Sequence, residues 1–124
     1  MNRPVHFEMG CEDPDRAAKF YSDLFGWKVS KWGGPMEYFL VDTGPNDQTG
    51  INGGFMRSNE TEVVRGTVNT IEVADLDGLL EQVTRQGGQI VSPKAPIPGI
   101  GYIAYCQDTE GNTFGMIQMH PEAS

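Results

Sequence analysis

An α+β fold built from two βαβββ modules is predicted by three features of this chain. The first is repetition. Asp13-Pro14-Asp15, an amphipathic stretch and Gly26-Trp27-Lys28-Val29 are echoed by Asp75-Leu76-Asp77, a second amphipathic stretch and Gly88-Gln89-Ile90-Val91. Asp13 lies 62 residues before Asp75 and Gly26 lies 62 before Gly88, which is half of the 124-residue chain. The second is the period-of-two alternation ahead of each aspartate, which reads as a half-buried strand. The third is helix punctuation, with a capping aspartate at the start and glycine at the end. A duplicated sheet unit leaves a cleft between its copies, a natural place for function.

The elements follow in order. Val5–Met9 alternates apolar and polar residues and predicts a strand. Asp13 caps a helix over 14–25, with Pro14 suited to its first position and Ala17, Phe20, Tyr21 and Leu24 at helical spacing. Trp27–Lys31 and Met36–Asp42 read as strands joined by a Gly33-Gly34-Pro35 turn. Residues 43–50 are a loop, and Ile51–Met56 is a short strand holding Gly53-Gly54, which permits close approach of backbone or ligand. The polar stretch 57–66 is the linker, so the modules cover about 1–57 and 66–119 of a single domain. The pattern then restarts with a strand over Val68–Val73 and a helix over 75–86 carrying Leu76, Leu79, Leu80 and Val83 on one face. Gln89–Val91 is a short strand, and the proline-rich stretch Ser92–Gly101 reads as an irregular loop. Tyr102–Gln107 and Phe114–Gln118 are strands joined by a hairpin turn at Asp108–Asn112.

Composition narrows the function classes. The net charge is −8 and the pI about 4.5, with no Lys/Arg cluster, which argues against nucleic acid and anionic membrane as partners. No apolar run approaches the length of a membrane span, and the first residues carry no signal-peptide core. Cys11 and Cys106 form no CxxC pair and no disulfide framework, so a cytoplasmic protein with reduced thiols is expected.

Asp13 to Tyr21 followed by Leu24-Phe25-Gly26-Trp27, the second-module opening Ile71 to Asp77, and the Asp108 to Phe114 hairpin together resemble the vicinal oxygen chelate superfamily of glyoxalase I, bleomycin-resistance proteins and extradiol dioxygenases. The resemblance covers nearly the whole chain. It implies a mixed sheet curved into a barrel-like cup, with the helices on the convex face and function in the concavity. Strand parity agrees: Val5, Phe7 and Met9 share the helix side and leave His6 and Glu8 for the cup, while Val68, Thr70 and Glu72 oppose Asn69, Ile71 and Val73. Subunit contacts in the superfamily further imply a homodimer.

Metal-using members of the superfamily place four ligands, usually His or Glu, in the cup. Carried over one at a time, these positions fall on His6, on Gly53 or Gly54, on Val68 and on Gly115. Only His6 has a side-chain donor, so no metal cofactor is expected at that site. A different set, His6 with Glu8 and Glu72, remains an alternative for a divalent ion. The three glycines instead clear space for a substrate.

The candidate catalytic residues are therefore His6, Glu8 and Glu72. His6 titrates near physiological pH and can act as acid or base, or it is a satisfied strand histidine. Glu8 and Glu72 take equivalent places in the repeat, either as a carboxylate pair that raises one pKa or as solvated rim glutamates. The candidate ligand-binding residues are Trp32, Tyr38, Gly53, Gly54, Tyr102 and Gly115. Cys106 reads as buried filler, and Phe20, Tyr21, Phe25 and Trp27 as core. Two function classes stay open: a metal-free binding protein for a small organic molecule in the cup between the modules, and an atypical lyase, isomerase or dioxygenase.

Overall fold

The computed structural model describes residues 1–34, 37–58, 64 and 66–123. Ten elements follow in the order β1 (Arg3–Cys11), α1 (Pro14–Phe25), β2 (Lys28–Lys31), β3 (Phe39–Asp42), β4 (Asn52–Arg57), β5 (Thr67–Glu72), α2 (Leu76–Arg85), β6 (Gln89–Ile97), β7 (Gly101–Gln107) and β8 (Thr113–Met119). This is βαβββ twice, an α+β fold of two helices and eight strands among the described residues. The chain divides into two compact units, one of His6–Val68 and one of Met1–Val5 with Asn69–Ser124. The first residues thus go with the later half, where the Asn2 amide donates to the Glu72 carbonyl at 2.7 Å.

The strands of the two units pair in the same order. In the first, β1 runs parallel to β4, β4 antiparallel to β3 and β3 antiparallel to β2. In the second, β5 runs parallel to β8, β8 antiparallel to β7 and β7 antiparallel to β6. Each parallel pair is the βα…β crossover that needs a helix between its strands.

Both helices begin as the sequence dictates. The Asp13 carboxylate accepts from the Arg16 amide and that of Asp75 from the Gly78 amide, each at 3.1 Å. Such a cap is worth about 1 kcal/mol. Gly26 closes α1 at φ 75°, a left-handed conformation that glycine adopts without strain. α2 packs Leu76, Leu79, Leu80 and Val83 against Ile71, Val73, Ala104, Cys106 and Met116.

α1 buries a narrower stripe than its composition suggests. Pro14, Ala17, Ala18 and Tyr21, at i, i+3, i+4 and i+7, face the cluster of Phe7, Phe39, Val41 and Phe55. Phe20, Leu24 and Phe25 lie off that stripe and stay 58–60% exposed, so Phe20 and Phe25 are not core as expected. Tyr21 and Trp27 do pack inside, their rings stacked at 5.0 Å.

A second correction concerns the stretch after Val91. β6 continues through Pro93 and Pro96 to Ile97, where a loop was expected. It is the outer strand, bonded only to β7, so a proline lacking its amide costs no ladder bond on the open side. Register shifts between Ile90 and Ser92 and between Ser92 and Ala95 absorb the irregularity. The expected start of β3 at Met36, the Pro35 turn position and most of the 57–66 linker lie outside the described residues.

Candidate functional site

β1 sets the site by simple parity. Phe7 and Met9 face α1, so His6 and Glu8 point to the opposite face. The parallel register places Phe7 beside Gly53 and Glu8 beside Gly54 on β4. A Cβ on Gly53 would run into the Phe7 ring, whereas one on Gly54 would run into Tyr38. The two adjacent glycines therefore serve opposite faces: one admits a core ring, the other the Tyr38 phenol.

That phenol reaches His6. Its hydroxyl lies 2.8 Å from His6 Nε2, and the two rings run nearly parallel, 17° apart. Three contacts hold Tyr38 in place. Its carbonyl accepts from the Trp32 amide at 2.8 Å, Trp32 meets its ring edge-on at 6.2 Å, and its neighbour Glu37 is bound by the Arg57 guanidinium at 2.9 Å. Arg57 also donates to the Glu12 carbonyl at 2.7 Å. Trp32, Tyr38, His6, Glu8 and Gly54 are thus brought together within one unit.

Burial lowers the His6 pKa below its usual value, and the Glu8 charge only partly offsets this. The imidazole is therefore neutral at neutral pH. When its Nε2 accepts the phenol hydrogen, its ring proton sits on Nδ1. Glu8 is 5% exposed, a carboxyl well inside the fold.

The second unit presents a different set. Thr70 on β5 pairs with Gly115 on β8, and Gly115 with Tyr105 on β7. Thr70 precedes the Asp75 cap by five residues, as Glu8 precedes Asp13, and each faces a glycine on the parallel neighbour. Thr70, not Glu72, is therefore the structural counterpart of Glu8, a correction to the expected pairing. Glu72 lies two residues on, opposite Ile117 and half-buried. The 62-residue repeat, counted from the caps instead of from the Glu-containing triplets, points to Thr70.

Tyr102 departs from its expected place on a pocket wall. It packs against the α2-side cluster, with Lys94 Nζ 4.6 Å from its ring centre and the His120 ring 5.8 Å away. Tyr105, three residues on and so on the other face, is the aromatic beside Gly115. Cys106 is fully buried in the α2-side core, and burial raises its thiol pKa, as filler requires.

Three of the four ligand positions that the resemblance assigns fall on residues without a side-chain donor. Gly53, Gly54, Val68 and Gly115 carry no side-chain donor, and among the described residues no group of three His, Cys, Asp or Glu is placed to hold an ion. Two shallow concavities lie elsewhere on the first unit: an open groove of about 320 Å³ lined by Cys11, Glu12, Asp13, Arg16, Ala17 and Phe20, and a polar dent of about 120 Å³ in the loop from Thr43 to Asn52. His6 lines neither.

Known proteins resemble this chain in sequence and in fold. A glyoxylase-like domain-containing protein of Didymella fabae is 34% identical over 110 residues, covering 86% of this chain and 85% of its own. The lactoylglutathione lyase of Arabidopsis thaliana is 27% identical over 135 residues, and this chain spans only 45% of its length. Streptomyces coelicolor methylmalonyl-CoA epimerase superposes with a TM-score of 0.70 over all of this chain and 99% of its own, at 16% identity, which is a likeness of fold. Residues 3–116 match the profile of one family across both modules, and the chain belongs to the Glyoxalase/Bleomycin resistance protein/Dioxygenase superfamily.

Proposed function

We propose that this protein binds a small organic molecule on the sheet face of its first unit, with His6, Glu8 and Tyr38 as the polar contacts and without the four-ligand metal of its superfamily. The single observation behind this reading is the His6–Tyr38 hydrogen bond, held over Gly54 and next to the buried Glu8. Buried polar groups are costly unless they are paired or used. A histidine, a phenol and a carboxyl gathered on the face opposite the core, with Trp32 beside them, form a polar patch against an aromatic wall, which is the usual make-up of a ligand site. The shortage of donors at the metal positions supports a metal-free mode.

A second reading is favoured by the neutral His6. A neutral imidazole that accepts from the Tyr38 phenol at Nε2 can take the phenol hydrogen as the phenol oxygen takes a proton from a bound ligand, which suits an isomerase or lyase. The relatives named a lyase and an epimerase agree with that class. Native mass spectrometry of the purified protein, followed by binding and turnover assays of whatever is retained, separates the two. Binding without turnover supports the first reading, and turnover lost in His6→Ala supports the second. Full function in His6→Ala, Tyr38→Phe and Glu8→Gln together overturns both.

The reading extends to a cytoplasmic homodimer. The exposed Phe20, Leu24 and Phe25 on one helix support self-association, since contiguous apolar surface marks interfaces. The free thiols of Cys11 and Cys106 support a reducing compartment.

A further inference from the structure

The second unit holds a polar group that its own fold does not use. Thr70 is 1% exposed, and its Oγ1 has no hydrogen-bond partner among the described residues. A buried hydroxyl left unpaired opposes folding, and such groups are rare without a role. It does not sit at random. It is the counterpart of Glu8, it lies opposite Gly115 on β8, and Gly115 is in turn paired with Tyr105 on β7.

The geometry at Gly115 shows what the hydroxyl faces. A Cβ built there would lie 3.3 Å from Thr70 Oγ1 and 3.2 Å from the Tyr105 ring. This is too close for a methyl group to be comfortable, whereas an oxygen seated slightly nearer the hydroxyl would accept its hydrogen bond. Glycine therefore leaves a cradle of one-atom size, walled by a hydroxyl donor on one side and an aromatic ring on the other.

We propose that Thr70, Gly115 and Tyr105 form a binding point for an oxygen acceptor, a carboxylate or carbonyl oxygen of a small organic ligand whose flat body lies against Tyr105. Thr70 Oγ1 donates to that oxygen, and Gly115 admits it. The hydroxyl is out of reach of solvent, so neighbouring side chains must shift to admit the ligand. This point stands on the second unit's residues alone and does not depend on the role given to His6.

The test uses the full chain with sodium benzoate as probe, followed by amide NMR. Thr70→Val keeps the side-chain shape and removes the hydroxyl; Thr70→Ser keeps the hydroxyl. Benzoate is expected to shift the Thr70 and Gly115 amide resonances saturably in the wild type and in Thr70→Ser, with affinity at least fivefold weaker in Thr70→Val. The thermal midpoint of Thr70→Val should equal or exceed that of the wild type, which separates lost binding from lost folding. Absence of saturable shifts at these two residues overturns the proposal, as does equal affinity in Thr70→Val. A long-lived water detected at Thr70 and undisturbed by saturating benzoate also overturns it, because the hydroxyl's partner is then water.

Discussion

Tyr38 and His6, 32 positions apart in sequence, meet at 2.8 Å because Gly54 on the strand beneath has no side chain to keep the phenol away. The contact joins a residue ahead of β3 to one on β1, with β4 between them supplying only empty space.

Tyr38→Phe should raise the His6 pKa. A phenol that donates to Nε2 favours the neutral ring, and its loss leaves burial alone to oppose protonation against the pull of Glu8. Titration of the His6 ring proton resonances by NMR measures this. An unchanged or lowered value would show that the hydroxyl is not the donor.

The adjacent glycines should respond differently to alanine. Gly53→Ala drives a methyl into the buried Phe7 ring and should cost about 1–3 kcal/mol of stability, as overpacking does. Gly54→Ala meets Tyr38 on the other face, so its main effect should be loss of the His6–Tyr38 contact. Urea unfolding combined with His6 titration distinguishes them.

The lowered His6 pKa makes stability depend on pH. An unfolded chain, with the ordinary value near 6.5, binds a proton that the folded chain resists, so stability should fall as pH drops from 6.5 through the folded value. His6→Gln should flatten that part of the curve. A curve of the same steepness in the variant between pH 5 and 7 would show that other groups are responsible.

Leu76→Ala should cost about 2–5 kcal/mol, since Leu76 is fully buried at the start of α2. Thermal unfolding reads this directly, and a loss under 1 kcal/mol would contradict the packing of α2.

Phe20→Ser with Leu24→Ser should convert the proposed homodimer to monomer without unfolding it, because neither residue belongs to the core stripe of α1. Light scattering across a concentration range gives the mass. A dimeric variant that keeps its fold would place the interface elsewhere.

The helices, the order of elements and the repeat are legible in local sequence alone. The caps at Asp13 and Asp75 and the left-handed Gly26 are local devices, each satisfied within four residues, so their signals survive without the rest of the fold. Parity on β1 was also legible, because a period of two needs only neighbours, and it placed His6 and Glu8 on one face. Tertiary structure decided what depends on distant chain. Proline tolerance in β6 follows from its outer position in the sheet. Tyr105, not Tyr102, stands beside Gly115 because the β7–β8 register sets that pairing. Phe20 and Leu24 are left outside because the sheet under α1 accommodates only the stripe through Ala17, Ala18 and Tyr21. The Tyr38–His6 contact needed a glycine from a third strand. Local propensity acts over a few residues, whereas register and burial are set by partners from distant parts of the chain.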